Sequence, residues 1–110
     1  MSVPVPPAVT GYFAATENGD RDALVASFAE DAVVLDEGRT HRGRAEIRQW
    51  RDEVATAYEY TVEVLSAEPD GPDGYLVTAR LEGNFPGNTV DLTFRFILRD
   101  NLIARLEIAP

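Results

Sequence analysis

Hydrophobic and polar positions change rhythm once along the chain, near residue 58. Before that point the spacing is helical. Val9, Tyr12, Phe13 and Thr16 recur at i, i+3, i+4 and i+7, which predicts a helix from about Ala8 to Asn18 with one buried stripe. Asn18-Gly19 ends it, because glycine readily takes the conformation just past a helix terminus. Asp20 is placed to cap a second short helix whose apolar side is Leu24, Val25 and Phe28. A turn through Ala29-Glu30-Asp31 leads into an apolar run, Ala32 to Leu35, that stops on Asp36. A further turn and a basic ramp enter a third helix near Arg44. There Ile47, Trp50, Val54 and Tyr58 share a stripe, and Arg44, Arg48 and Arg51 occupy a neighbouring, solvated face.

After that the period falls to two. Tyr58, Tyr60, Val62 and Val64 alternate with polar residues, Tyr75, Val77, Ala79 and Leu81 with Leu76, Thr78 and Arg80, and Val90, Leu92, Phe94 and Phe96 with Asp91, Thr93 and Arg95. The turn-rich stretches EPDGPDG and GNFPGN separate these runs, and Arg99-Asp100-Asn101 is a tight turn before a last strand, Leu102 to Ile108. Helices first and a strand meander afterwards predict an α+β domain, with the helices on one face of an antiparallel sheet. The other face carries Glu63, Thr78, Arg80, Glu82, Asp91, Thr93, Arg95, Arg105 and Glu107, a mixed-charge surface suited to solvent or to a dimer interface.

Composition narrows the function classes. A length of 110 residues fits one domain, read as a proline-rich extended lead-in over 1–7 and a single domain over 8–110. A net charge of −9 opposes nucleic acid binding. The absence of cysteine excludes disulfides, thiolate metal sites and cysteine nucleophiles. No apolar run approaches the ~20 residues that span a bilayer, and the first residues lack a signal-peptide pattern, so a cytoplasmic protein is expected. No phosphate loop and no ligand spacing for a metal is visible, so neither cofactor nor metal is expected.

The segments YFAATENGD, FAEDAVVLDEG and HRGRAEIRQW, followed by a meander ending FRFILRDNLIARLEI, resemble the SnoaL-like branch of the nuclear transport factor 2-like superfamily over roughly residues 8–108. Relatives in that branch include polyketide cyclases and steroid delta-isomerases. The resemblance implies a cone-shaped roll, with three N-terminal helices packed on a curved antiparallel sheet that encloses an apolar pocket. It also implies a small hydrophobic ligand and a homodimer through the outer sheet face. Phe28, Trp50, Tyr58, Leu92 and Phe94 are the expected pocket-lining residues, with at most one of Tyr58 and Tyr60 reaching it.

Against the steroid isomerase pattern, Tyr12 to Asp20 matches Y-x-A-A-x-x-x-G-D, and Asp31 to Asp36 matches D-A-x-x-x-D, which puts the general base on Asp36. The isomerase's neutral aspartic acid stands two residues before the first phenylalanine of F-R-F. Here that position is Leu92, and Asp91 is one residue off, on the opposite face of a strand. Moving a proton beside a carbonyl needs a base at carbon and donors at the oxygen where charge develops. Asp36 and Tyr12 supply one of each, and His41, the single histidine, is a possible helper. The leucine disfavours efficient steroid isomerisation, since a lost oxyanion donor costs ~10²–10³ in rate. Cyclase-type chemistry with a single base leads. A non-catalytic ligand-binding or scaffold protein is the alternative, and water activation of epoxide-hydrolase type stands third, because Arg80, Arg95 and Asp91 alternate away from Asp36.

Overall fold

The structure is a computed structural model and describes residues 5–110. The chain runs α1 (Pro7–Asn18), α2 (Arg21–Ala26), β1 (Phe28–Asp36), β2 (Arg39–Arg42), α3 (Gly43–Ala57), β3 (Tyr60–Pro69), β4 (Gly74–Gly83), β5 (Thr89–Arg99) and β6 (Leu102–Ala109). The extended lead-in expected over 1–7 falls outside the described residues for 1–4, and Pro7 already opens α1. Proline suits that first position, where a backbone N–H has no helical partner to lose.

The α1–α2 junction follows the local chemistry. Gly19 adopts a left-handed conformation (φ 67°), and Asp20 accepts a hydrogen bond from the Ala23 amide at 3.1 Å. That bond satisfies one of the donors left open at the start of α2.

One six-stranded sheet has the order β2-β1-β6-β5-β4-β3. Every neighbouring pair is antiparallel except β1 and β6, which run parallel. That pair joins strands remote in sequence, so no turn chemistry announces it. Its register breaks between Phe28 and Val33, and that break bends the start of β1.

The structure departs from the sequence pattern at two places. Phe28-Ala29-Glu30-Asp31 is strand rather than helix end and turn, because Phe28 and Ala29 are buried and Phe28 pairs with Ile103. The basic ramp contains β2, a charged edge strand joined to β1 by a two-residue turn. Glu37 and Gly38 in that turn both have positive φ (53° and 75°), the geometry that matches a hairpin's twist. Asp100 and Asn101 repeat it between β5 and β6 (φ 53° and 65°).

The helices cover one sheet face. Val9 and Tyr12 of α1, Leu24 of α2 and Ile47 of α3 meet Val34, Phe96, Ile103 and Leu106 in the core. Tyr12 lies edge-on to Phe28 and Phe96, with ring centroids 6.0 and 5.6 Å away. The core thus fills one end of the roll. The other end, between α3 and the strands, stays open and holds the site.

Candidate active site

Asp36 is the last residue of β1, and alternation from Ala32 and Val34 turns it inward. The hairpin turn that follows lifts the chain away, so the carboxylate remains at the lip of the core. The Trp50 indole Nε1–H donates to Asp36 Oδ2 at 3.0 Å. No backbone amide of the described residues donates to that carboxylate, and turn chemistry does not occupy it.

Beyond Asp36 opens a cavity of about 340 Å³. Its walls are the inward side chains of the strands: Val62 of β3, Leu81 of β4, Val90, Leu92 and Phe94 of β5, and Ile108 of β6. Tyr12, Phe13 and Thr16 close it from α1, and Trp50, Arg51 and Val54 from α3. Tyr58 and Phe85 meet edge-on at 6.1 Å on its rim.

Among the expected site residues, Asp36, Tyr12, Trp50, Tyr58, Leu92 and Phe94 line this cavity. Tyr60 lines it as well, so both tyrosines reach it rather than at most one. This is possible because Tyr58 lies just past the end of α3 and is not on β3, whose alternation begins at Tyr60. Phe28 does not line it. Its ring is wholly buried in the core behind Tyr12, because β1 begins there and turns the side chain into the roll's filled end. His41 is buried on β2, beside the indole of Trp50 at 5.8 Å. It borders a smaller recess of about 160 Å³ that shares Asp36, Trp50 and Tyr58 with the cavity, and it does not line the cavity itself.

Arg51 is the residue that the sequence reading misplaced. It is buried, not on a solvated face, with 8% of its surface exposed. Arg44 and Arg48 of the same group are committed elsewhere, to the Phe28 carbonyl oxygen (2.8 and 3.1 Å) and to Asp22 (2.6 Å). A signal was present: Ile47, Trp50, Arg51 and Val54 stand at i, i+3, i+4 and i+7, so position 51 completes the buried stripe.

Arg51 Nη2 donates to the Tyr60 hydroxyl at 2.9 Å, and the guanidinium carbon lies 5.0 Å from the Trp50 ring centroid. Burial works against its charge. The Tyr12 and Tyr60 hydroxyls, the Tyr60 hydrogen bond and Asp36 outweigh that and raise its pKa above the ordinary arginine value. Burial also pushes the Tyr12 phenol well above its usual value, against the pull of Arg51, with Tyr60 and Asp36 adding to the rise. Tyr12 is therefore a neutral O–H, able to donate. Among the described residues no cluster of three or more His, Asp or Glu side chains is arranged to hold a metal ion.

This arrangement is a carboxylate, a guanidinium and phenols facing an otherwise apolar chamber under a helix-covered, curved sheet. Residues 9–106 match the model of the SnoaL-like domain. The chain belongs to the SnoaL-like family. A candidate polyketide cyclase from Sinorhizobium meliloti is 45% identical, with 96% of this chain and 95% of that one covered and a TM-score of 0.91. A protein of ketosteroid isomerase-like fold from Catenulispora acidiphila, solved with trimethylamine, is 24% identical over 97% of this chain and 87% of that one, at a TM-score of 0.86. Delta 5-3-ketosteroid isomerase from a Mycobacterium species is 24% identical over 96% of this chain and 94% of that one, at a TM-score of 0.79. The last two show the fold alone. Comparison with curated protein sequences gives no match. Among the described residues no helix is long and apolar enough to cross a membrane.

Proposed function

We propose that this SnoaL-like domain is an enzyme of cyclase or isomerase type. In it Asp36 is the general base that removes a proton beside the carbonyl of a small hydrophobic compound. The observation that carries this reading is the setting of Asp36: a carboxylate on an apolar cavity, steadied through one oxygen by Trp50 and not engaged by turn amides. A base so held keeps a lone pair for a carbon acid, and positioned general bases contribute ~10²–10⁴ in rate. Tyr12 is the hydrogen-bond donor at the carbonyl oxygen. Leu92 offers an apolar wall where steroid isomerisation uses a second donor, which favours single-base chemistry. His41, behind Trp50, helps through packing and not through proton transfer. Water activation of epoxide-hydrolase type ranks third, since Arg80 and Asp91 are hydrogen-bonded to each other at 2.9 and 3.2 Å on the outer face.

The same reading has the protein work in the cytoplasm, as a homodimer through the outer sheet face, where Leu65 and Ile97 are each 41% exposed. The deciding experiment follows deuterium uptake into small β-dicarbonyl compounds by NMR. Wild type should accelerate exchange, and Asp36→Asn should lose ~10²–10⁴ of that acceleration while binding the same compounds within a few-fold. No acceleration by wild type would make the cavity a binding site without catalysis, and equal acceleration by both proteins would remove Asp36 from the role of base.

A further inference from the structure

Arg51 is a buried cation without a buried anion. Other arginines around it have partners at the surface: Arg21 pairs with Asp52, Arg48 with Asp22, and Arg44 is held by the Phe28 carbonyl oxygen. Among the described residues no carboxylate lies within ion-pair distance of Arg51. Its guanidinium has five N–H donors, and the Tyr60 hydroxyl takes one through Nη2. Yet among the described residues no side-chain nitrogen or oxygen is both sealed and unpaired, so Nε and Nη1 of Arg51 reach accessible space. Arg51 and Tyr60 border the 340 Å³ cavity and also a shallower groove of about 620 Å³ beside the end of α1. That groove is edged by Glu17, Asp20, Glu59 and Glu82 against Arg21, and the cavity by Asp36 and Glu37; the groove carries more negative charge and is wetter, so the mostly apolar cavity is the side on which an anion gains.

Keeping an arginine here is costly. An unpaired charge beside an apolar wall loses hydration, and protein interiors hold such charges only where something pairs with them. Stacking on Trp50 and the single bond to Tyr60 offset part of that loss and fix the plane of the guanidinium. A fixed fork of donors with only one taken matches a planar pair of oxygens.

Building on the reading of this cavity as the ligand site, we propose that Arg51, braced by Tyr60 and Trp50, recognises anions, and that the ligand is a small, mostly apolar organic molecule bearing an ionised or ionising oxygen. Asp36 and Arg51 then mark the two poles of one chamber. When Asp36 takes the C–H proton, the bonding pair passes to the carbonyl and leaves an enolate. Arg51 receives the charge on that oxygen and fills the role of the donor that Leu92 cannot provide. Ligands that already carry a carboxylate use the same fork.

Two probes matched in shape test this: 2-naphthoate and 2-naphthamide, read by quenching of Trp50, the chain's single tryptophan. Wild type should bind the acid at least ~10-fold tighter than the amide at neutral pH, the preference expected of a charge-assisted hydrogen bond. Arg51→Gln should bring that preference to within about twofold and leave amide binding within about threefold. Arg51→Lys, which keeps the charge but not the fork, should retain part of it. Wild type that binds both probes equally, or neither, overturns the proposal, as does a folded Arg51→Gln that still prefers the acid. Should Arg51→Gln fail to fold by circular dichroism, Arg51→Lys and the wild-type preference decide. The base assignment fails separately: Asp36→Asn should keep the preference for the acid whether or not it loses exchange activity.

Discussion

On the outer face of the sheet, Arg80 grips Asp91 across β4 and β5 through two hydrogen bonds, and Arg95 reaches Asp70 at 3.3 Å. On the inner face, Asp36 and Arg51 share one chamber, and each is held by a neutral partner, Trp50 or Tyr60. The outer charges are half-exposed and mutually satisfied, and pairs of that kind contribute little to folding. The inner charges sit against apolar walls, where charge is expensive and does not help the fold. Paired surface charge suits solubility or an interface. Buried charge held by neutral groups points to chemistry or to a charged ligand.

The contrast can be broken first at its strongest point, the packing under the inner face. Phe96 is fully buried, with ring centroids 5.6 Å from Tyr12 and 6.4 Å from Phe94. Phe96→Ala should lower unfolding free energy by about 3–5 kcal/mol in a denaturant titration, from lost burial plus the cavity left behind. Thr93→Ala, one strand position away from Phe94 and turned to the outer face, should change it by no more than about 0.5 kcal/mol. Equal costs at the two positions would mean that the two faces do not differ as described.

Next comes the brace on the base. Trp50→Phe keeps an aromatic ring in the wall but removes the N–H that Asp36 Oδ2 accepts. A carboxylate that loses its donor should cost about 1–3 kcal/mol in the same titration. Asp36→Asn in the Trp50→Phe background should recover part of that loss, because an amide tolerates the site without the indole. Additive effects of the two substitutions would show that the hydrogen bond is not formed in solution.

Alkaline pH probes Tyr12. Burial, reinforced by Tyr60 and Asp36 and opposed by Arg51, raises its pKa in the folded chain. The folded protein therefore holds this proton where the unfolded chain, with tyrosine near ~10, has released it. Stability from this group is complete below pH ~10 and is lost as pH rises further, at up to about 1.4 kcal/mol per pH unit. Melts between pH 9 and pH 11 should show wild type falling more steeply than Tyr12→Phe. Parallel slopes would place the phenol in contact with solvent.

Much of this fold could be read from local signals. The stripe on α1, the Asp20 cap, and the turns at Glu37-Gly38 and Asp100-Asn101 depend on neighbours in sequence, and the chain spells them out. The position of Asp36 at the end of an apolar strand was equally legible. What escaped was what remote partners decide. β2 is a charged edge strand whose pairing with β1 leaves no apolar alternation, and the parallel β1–β6 pair joins opposite ends of the chain. Phe28 belongs to that pair, which is why it fills the core and not the chamber. Arg51 escaped for another reason. Arginine at a stripe position is ordinarily a solvated neighbour of the core, and only the stacking on Trp50 and the Tyr60 hydroxyl on β3 hold it inside.

The smallest expected effect tests the outer face. Hydrogen bonding to Arg80 comes first among the causes that lower the Asp91 pKa, ahead of the opposing burial and the direct charge attraction. The stabilisation from that carboxylate is present above the unfolded pKa of ~3.9 and is lost as pH falls through the lower folded value. Arg80→Ala should lower the melting midpoint by no more than ~4 °C at pH 7, as expected for an exposed pair. That gap should narrow as pH falls through the lowered folded pKa and Asp91 becomes protonated in both states. If the sheet's outer face is a dimer interface, the pair leaves water on association and the result changes in kind. The loss from Arg80→Ala would then exceed this bound and grow as the protein is diluted, because subunit association adds to apparent stability by mass action. A small loss independent of concentration leaves the outer face to solvent, and the contrast with Arg51 stands at its sharpest.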